Sequence, residues 1–262
     1  MQISIIMPAY NAEKTIGTAI KSVIRQTFKD WELLVINDQS TDKTKQEILF
    51  WAEQDERIFY IENSYNMGVA QTRNRGIAQA KGKWIAFLDS DDLWEPDKLT
   101  EQIKWIKKYK AKLVFTGSAF IDKSGRKLDY FLEVPEKVSF RKLLKQNIIS
   151  CSSVLIEKKL LLKYPMAERG MHEDYAVWLS ILKNERIIAY GINRPLLIYR
   201  ISTTSKSGNK KKAALMHWRV YRYLELPLIP SAYYFLWYVI KNFKKYGAIW
   251  ARSILISIKK SV

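Results

Sequence analysis

The acidic segment Asp89-Ser90-Asp91-Asp92 carries the residues of this sequence best suited to bind a divalent cation. It directly follows the apolar run 84–88, which is typical of a buried strand. Residues two apart on a strand share a face, so Asp89 and Asp91 would repel each other unless a cation lies between them. Oxygen ligands of this kind favour Mg²⁺ or Mn²⁺. The same four residue types also suit a turn and a helix cap, so this segment alone leaves both interpretations open.

Two arginines could neutralise such a cluster. Arg73 and Arg75 lie in a predicted helix that begins after Asn66-Met67-Gly68. An arginine in that position can pair with the aspartates or with a phosphate group. The alternative is a solvated helix face, and this interpretation suits Arg75 better than Arg73.

A third polar group, His172-Glu173-Asp174, opens a predicted amphipathic helix over 175–184. A carboxylate at a helix start beside a cleft is well placed to act as a general base. The alternative is that the two acids merely stabilise the positive end of the helix. His172 is a rival base or ligand, although a single histidine beside two acids is more often an ordinary hydrogen-bonded residue.

The elements that must position these residues alternate between strand and helix over the first 120 residues. The predicted strands are 3–7, 31–36, 58–61 and 84–88, and the predicted helices are 12–26, 42–53 and 68–80. This order predicts an α/β fold with a mostly parallel central sheet and helices on both faces. Ligands bind at the carboxyl ends of such strands, so the polar residues after them should converge on one edge. Asp38, which follows the second strand, belongs to this set, although Asn37-Asp38-Gln39-Ser40 also suits a local Asx-turn.

The second half of the chain is less regular. It predicts a strand over 113–121 with a turn at 122–125, and helices over 139–146 and 175–184. Short strand-like runs follow at 152–156, 187–190 and 196–199, and we expect the last two to pair with each other. The composition becomes aromatic and basic from residue 210 onward.

Composition narrows the class of protein. With 48% apolar and 13% aromatic residues in 262, intrinsic disorder over most of the chain is excluded. The single cysteine, Cys151, excludes an intrachain disulfide and a cysteine-rich metal site, and it favours a cytoplasmic location. We expect no signal peptide, because the chain opens directly on a strand-like run, and no membrane-spanning helix.

The charge is concentrated near the C-terminus. Lysine and arginine number 44 against 26 acids, for a net charge of +18. Residues 201–262 hold 12 bases and one acid, Glu225. On a helix over 241–260, five of six bases share one face beside aromatic and aliphatic residues, which is typical of a helix lying in a membrane interface. The alternative is a helix that packs on the rest of the protein with its charged face in solvent.

Rival function classes lack their expected signals. The sequence contains no G-x-G-x-x-G motif and no Walker lysine loop. A sugar nucleotidyltransferase should show a glycine-rich N-terminal loop, which Met7-Pro8-Ala9-Tyr10 does not provide. A nucleic-acid-binding protein should place basic residues in its most distinctive motifs, and here those motifs are acidic, so we expect no nucleic-acid partner.

In order and spacing, the motifs resemble the inverting family 2 glycosyltransferases, whose fold is of the GT-A type. The resemblance covers residues 1–205, and its elements are Met7-Pro8-Ala9-Tyr10-Asn11-Ala12-Glu13, Ser22-Val23, Gln26-Thr27, Trp31-Glu32-Leu33, Asn37-Asp38-Gln39-Ser40-Thr41-Asp42, Asn66-Met67-Gly68, Arg73-Asn74-Arg75-Gly76, Asp89-Ser90-Asp91-Asp92, Glu173-Asp174 with Trp178, and Tyr199-Arg200. It implies a nucleotide half over 1–120, an acceptor half over 121–205 and a separate helical region over 206–262. The absence of Q-x-x-R-W argues against a processive synthase.

The resemblance also implies a role for each matching residue. Asp174 would be the general base, supported by Glu173, and Asp91 with Asp89 would hold Mg²⁺ or Mn²⁺. The nucleotide-sugar donor, most often linked to UDP, would contact Pro8, Tyr10, Glu13, Asp38, Arg73, Asp89, Ser90 and Arg200. Tyr10 would lie against the base, Asp38 would accept a hydrogen bond from it, and Arg200 with Ser202 and Ser205 would close over the diphosphate.

The expected acceptor is a hydroxyl of a glycan or of a lipid-linked saccharide in surface polysaccharide assembly. The protein would then work in the cytoplasm, peripherally at the inner face of the cell membrane, with residues 206–262 contacting the membrane surface. The alternatives are a sugar nucleotidyltransferase and a catalytically inactive relative.

Overall fold

A computed structural model describes residues 2–167, 170–201 and 210–241. The strands are β1 (Ile3–Ala9), β2 (Trp31–Asn37), β3 (Ile58–Glu62), β4 (Trp84–Phe87), β5 (Leu93–Trp94), β6 (Leu113–Ile121), β7 (Lys127–Leu132), β8 (Lys137–Val138), β9 (Leu155–Glu157) and β10 (Ala189–Arg200). The helices are α1 (Ile16–Ile24), α2 (Thr44–Gln54), α3 (Val69–Gln79), α4 (Lys98–Tyr109), α5 (Phe140–Leu144), α6 (Lys158–Lys163), α7 (Glu173–Asn184) and α8 (Lys210–Tyr223), with a 3₁₀ turn at Cys151–Ser153. Residues 228–241 form a further helical segment.

One sheet runs through the molecule in the order β3-β2-β1-β4-β9-β6-β10-β5, with β7 beside β6 and β8 beside β10. The first four strands are parallel, as the alternating pattern predicts. β1 is central, and Ile3 lies between Trp31 of β2 and Trp84 of β4. Their carboxyl ends therefore meet at one edge, which is where ligands bind in sheets of this kind.

Beyond β4 the sheet is mixed. The short strand β9 inserts antiparallel between β4 and β6, and β10 then runs parallel to β6. The prediction that 187–190 and 196–199 pair with each other is wrong, because both belong to the single strand β10. Register shifts on either side of Pro195 break the apolar pattern of β10 without ending the strand.

Helices cover both faces of the sheet, as predicted. One core packs α1, α2 and α4 against alternate residues of the parallel strands, such as Ile5 and Val35. The other packs α3 and α5 to α8 against the opposite set, such as Ile6 and Ile36. Successive side chains of a strand point to opposite faces of the sheet, so each strand contributes residues to both cores. Gly76 brings α3 close to the sheet, since an added Cβ would lie only 2.7 Å from Ile6 Cγ2.

The C-terminal helices pack on the second core. Val220 and Tyr221 of α8 are fully buried, and Phe235 of the last helical segment packs against the same cluster. Within the described ranges, no helix combines the length and the apolar character that crossing a membrane would need. The predicted basic helix over 241–260 lies almost wholly outside the described residues. The domain boundary at residue 205 stays a prediction.

Candidate active site

The acidic segment after β4 is held in a fixed turn. The backbone N–H of Asp92 donates to the carbonyl of Asp89 at 3.1 Å, and the chain continues directly into β5. Trp94 of β5 pairs with Leu197 of β10 and donates its Nε1–H to the carbonyl of Ser152 at 2.8 Å. Ser152 also binds the backbone N–H of Asp89 at 3.1 Å. The segment is therefore a turn, as one interpretation of its sequence has it, but it leads into a strand and caps no helix. Asp89 and Asp91 lie beyond the end of β4, so the turn and not a shared strand face brings them together, and cation binding stays a prediction.

Arg73 links this turn to the start of α7. Its buried guanidinium lies 2.5 Å from Asp89 Oδ1 and 3.5 Å from Glu173 Oε1. Burial alone would lower the pKa of Arg73, but Asp89 and the neighbouring acids raise it above its ordinary value, so the group stays charged. A buried cation with two carboxylates from different elements fixes the relative positions of α3, the acidic turn and α7.

The remaining carboxylates of the turn are crowded. Burial and the charge of Asp89 raise the pKa of Asp91, while Arg200 opposes the shift. Burial, Asp89 and Asp91 raise the pKa of Asp92 well above its ordinary value. One oxygen of Asp92 has no hydrogen-bond partner within the described part of the chain. An environment that disfavours the charged carboxylate at two adjacent positions is one that a bound divalent cation would relieve.

Few side chains at this site could coordinate a metal ion. No group of three or more His, Cys, Asp or Glu side chains in the described residues could hold one metal ion. Asp89 and Asp91 nevertheless fit the usual binding of Mg²⁺, which takes one or two carboxylates and completes its shell with water and substrate phosphates. These two residues are the ones that the sequence predicts as ligands.

Asp174 lies in the first turn of α7, where it accepts a hydrogen bond at 2.7 Å from the backbone N–H of Tyr175. Burial and the adjacent Glu173 raise its pKa, and Arg73 and His172 oppose that shift. A raised pKa makes a carboxylate a stronger base at neutral pH. His172 itself contacts the carbonyl of Ala213 at 3.3 Å, in keeping with an ordinary hydrogen-bonded residue.

Arg200 ends β10 directly beside the acidic turn. Its backbone N–H donates to Asp92 Oδ1 at 3.0 Å, and its Nε donates to the carbonyl of Asp91 at 2.9 Å. The same guanidinium reaches the carbonyls of Asp122 and Lys123 at 3.3 Å. Ser202 and Ser205 lie outside the described residues.

Asp38 reaches the same edge of the sheet but supports a different loop. Its buried carboxylate accepts hydrogen bonds from Asn63 Nδ2 at 2.6 Å and from the backbone N–H groups of Met67 and Gly68 at 2.8 and 2.9 Å. The local Asx-turn is made instead by Asn37, whose Oδ1 accepts from the N–H of Ser40 at 3.2 Å. β1 lies between β2 and β4, so two strand spacings, about 10 Å, separate the backbones of β2 and β4. Asp38 therefore belongs to the rim of the sheet, which the loops after β1 and β2 form, and within the described residues it has no contact with the ion-pair cluster of Arg73, Asp89 and Glu173.

The loop after β1 completes this rim. Pro8 is buried inside β1, whereas the Tyr10 side chain beyond its end is 52% exposed. Glu13 Oε2 accepts from the N–H of Lys43 at 3.0 Å, and Asp42 Oδ2 accepts from the N–H of Glu13 at 3.2 Å. These contacts tie the loops after β1 and β2 together and leave the Tyr10 ring facing solvent.

Arg75 is a residue whose environment the sequence analysis missed. It does not lie on a solvated face: its guanidinium donates to the carbonyl of Glu62 at 2.7 Å and to Asn63 Oδ1 at 2.6 Å. It lines a cleft of about 480 Å³ together with Gln39 and Met67, on the Asp38 side of the rim. Asn63, which joins Asp38 to Arg75, gives no signal of its own in the sequence.

Comparisons with known proteins identify the family of this chain. The model of the family described as Glycosyl transferase family 2 matches residues 4–156. A relative from Escherichia coli, the UDP-Glc:alpha-D-GlcNAc-diphosphoundecaprenol beta-1,3-glucosyltransferase WfgD, is 39% identical over 248 residues, which cover 94% of this chain and 95% of the relative.

Solved structures show the same fold. TarS 1–349 from S. aureus, in complex with UDP-GlcNAc, superimposes with a TM-score of 0.72 at 19% identity, covering 93% of this chain and 73% of that one. The mannosyltransferase PcManGT from Pyrobaculum calidifontis, in complex with GDP-Man and Mn²⁺, gives a TM-score of 0.69 at 17% identity, covering 86% and 64%. The fold is therefore of the GT-A type, as the motif resemblance implies. With a family match over more than half its length and a relative aligned along nearly all of it, the chain belongs to glycosyl transferase family 2 and is a glycosyltransferase.

Proposed function

We propose that this enzyme transfers a sugar from a UDP-linked donor to a hydroxyl group of a lipid-linked saccharide, with inversion at the anomeric carbon. The observation that carries the proposal is the ion-pair cluster in which buried Arg73 joins Asp89 of the acidic turn to Glu173 at the start of α7. It connects the residues suited to a sugar diphosphate with the carboxylate suited to act as a base.

In this mechanism Asp174 removes the proton from the acceptor hydroxyl. The acceptor oxygen then forms a bond to the anomeric carbon while the bond to the diphosphate oxygen breaks on the opposite side, so the configuration inverts. The raised pKa of Asp174 supports this role, because a stronger base accepts the proton more readily. Glu173 holds Arg73 and so supports the position of Asp174.

Asp91 and Asp89 would hold Mg²⁺ or Mn²⁺. When bound there, such an ion neutralises the charge that develops on the leaving diphosphate. The carboxylate pair in a crowded, partly buried turn supports this assignment, as does the Mn²⁺ named with the mannosyltransferase neighbour.

The rim of the sheet would bind the rest of the donor. Tyr10 follows the strand that contains Pro8, and its exposed ring would contact the nucleobase. Glu13 holds the same loop through its hydrogen bond to the N–H of Lys43. Asp38 and Ser90 lie after β2 and β4 at the same edge. Arg200, whose Nε donates to the carbonyl of Asp91, would bind a phosphate of the donor.

The acceptor assignment rests on the relative from Escherichia coli, whose name specifies UDP-Glc and a diphosphoundecaprenol-linked acceptor. An acceptor of that kind is anchored in a membrane, so we propose that this enzyme acts in the cytoplasm at the inner face of the cell membrane. Residues 206–262 would contact that membrane.

The test is transfer from UDP-Glc, UDP-GlcNAc and GDP-Man to a synthetic GlcNAc-diphospho-lipid with Mg²⁺ or Mn²⁺, with the product anomer assigned by NMR. Asp174→Asn should lower kcat by about 10²–10⁴-fold, the usual contribution of a general base. The matched control is Asp129→Asn, at an exposed position on β7, which should leave the rate unchanged. A retained anomeric configuration, or a wild-type rate for Asp174→Asn, would refute the mechanism.

A further inference from the structure

The last helical segment presents an apolar stripe to solvent. Between residues 226 and 240 there is no charged side chain. Its members recur at helical spacing and are exposed by 36–85% of their surface: Ile229, Tyr233, Leu236, Trp237 and Ile240. Contiguous exposed apolar surface of this kind marks an interaction site rather than a solvated face.

The opposite face fixes the orientation of this stripe. The ring of Tyr238 stacks on His217 of α8 at 3.7 Å, and Phe235 contacts Trp218 at 5.5 Å. Ser231 is fully buried and bonds the carbonyl of Pro227 at 2.9 Å. The helix is therefore anchored to the core through one side, and the other side stays exposed as a consequence of that packing.

Basic groups lie along the stripe. Lys145 Nζ lies 5.2 Å from the centre of the Trp237 ring, and the guanidinium of Arg222 bonds the carbonyl of Leu226 just before the segment begins. Lys241 lies at its end. Residues 210–241 contain six bases and a single acid, Glu225, so this part of the molecule is strongly positive.

We propose that this stripe, together with Lys145, Arg222 and Lys241, docks onto the surface of a bilayer that contains anionic phospholipid. Aliphatic side chains beside tyrosine, tryptophan and lysine are the composition of a helix lying in a membrane interface. The stripe runs over twelve residues, whose first and last Cα atoms are about 16 Å apart along the helix axis. This is roughly half the hydrocarbon thickness, so the segment lies on the membrane rather than across it. A second copy of the chain is a poorer occupant, because it would bring two basic surfaces together.

The docking surface connects to the active site through stacked rings. Tyr238 stacks on His217, and His217 stacks on Tyr175 at 4.8 Å, the residue directly after Asp174. A bilayer on this surface would therefore lie on the side of the molecule where α7 begins. This deepens the proposed function and rests on it, since it brings a membrane-anchored acceptor toward the proposed base.

Vesicle co-sedimentation of the full-length chain tests the proposal. We expect binding to vesicles containing about 30% phosphatidylglycerol, weaker binding to pure phosphatidylcholine, and further weakening as salt screens the charges. Leu236→Asp should lower the partition coefficient at least about tenfold. The matched control is Leu162→Asp on α6, with 55% exposure against 59% for Leu236, which should bind as wild type does.

Equal binding by wild type and Leu236→Asp would overturn the proposal, because residues 242–262 alone would then account for membrane contact. Absence of binding by the wild type would overturn it as well. So would a wild-type dimer in light scattering that Leu236→Asp converts to monomer. Binding requires neither donor nor acceptor, whereas hydrolysis of UDP-sugar in vesicle-free solution reports on the active site. The two assays therefore separate failure of the docking surface from failure of the proposed function.

Discussion

Replacing Gly76 with alanine should uncouple Arg73 from the acidic turn. An alanine Cβ at this position would lie 2.7 Å from Ile6 Cγ2 and 2.9 Å from Ile36 Cδ1, both inside normal van der Waals contact. These atoms belong to packed residues of β1 and β2, so α3 must move away from the sheet. Arg73 is three residues earlier on the same helical face and would move with it.

The size of the effect follows from two opposing contributions. Overpacking a core position costs about 1–3 kcal/mol, while alanine in place of glycine within a helix gains about 1 kcal/mol. The matched control is Gly17→Ala in α1, where the added Cβ meets only two side-chain atoms, Glu47 Oε2 and Trp51 Nε1, both at 3.3 Å. The helix contribution is similar in both variants, so their difference isolates the packing cost of about 1–3 kcal/mol.

Chemical denaturation of both variants measures that difference, and transfer kinetics measures the effect on Arg73. A shift of α3 by about 1 Å should lower kcat/KM of Gly76→Ala by up to about 10²-fold, because misplaced groups lose the aligned geometry. Gly17→Ala should retain wild-type kinetics. Equal stability of the two variants, or unchanged kcat/KM for Gly76→Ala, would refute the argument that close packing of α3 positions the site.

Three further predictions concern charge. Arg73→Met should lower the free energy of unfolding by about 3–5 kcal/mol, because it leaves Asp89 and Glu173 without their buried cation; a loss below about 1 kcal/mol in urea unfolding would contradict this. The base must be deprotonated to act, and the pKa of Asp174 is raised above its ordinary value of 3.8. The value of kcat/KM should therefore increase with pH through an apparent pKa above 3.8, and a pH profile whose acidic side gives an apparent pKa of 3.8 or below would contradict this. Chelation by EDTA should abolish transfer and Mn²⁺ or Mg²⁺ should restore it, with Asp91→Asn requiring more metal; full activity in EDTA would exclude the metal assignment.

The parallel half of the fold could be predicted because its signals are local. Each of β1 to β4 is a short, mainly apolar run followed by polar residues, and β1, β2 and β4 are buried on both faces. The predicted bounds differ from the observed ones by one or two residues. Helix α4 was missed, because its buried face includes Lys98 and Gln102 as well as Leu99 and Ile103. Lys98 is buried against the Trp94 ring at 3.9 Å and bonds Gln102, so its burial depends on a partner, which periodicity does not show.

The mixed half depends on pairings between distant residues. β9 has three residues and pairs with both β4 and β6, and nothing in a three-residue run indicates its neighbours.

The contacts of the site residues were limited in the same way, because they too join distant parts of the chain. The sequence left Arg73 to pair with either the aspartates or a phosphate, and the structure pairs it with Asp89. The partners of Asp38 and Arg75 are set by how β2, β3 and the loop before α3 meet, and an equally plausible local turn was available for Asp38.

Charge balance in the site explains why neighbouring carboxylates would perform different tasks. Five acids face two guanidiniums there: Asp89, Asp91, Asp92, Glu173 and Asp174 against Arg73 and Arg200. Arg73 is engaged by two of the acids, and Arg200 Nε and Nη1 donate to backbone carbonyls. The pKa values of the other three acids are all raised, so binding a proton or a cation would stabilise each of them. Asp91 adjoins Asp89 in the acidic turn, where a metal ion would supply the positive charge, whereas Asp174 lies at the start of α7, where a proton from the acceptor would supply it. One electrostatic cause thus separates the proposed metal ligand from the proposed base, and it implies that a nucleoside diphosphate binds this acidic site weakly unless a divalent cation accompanies it.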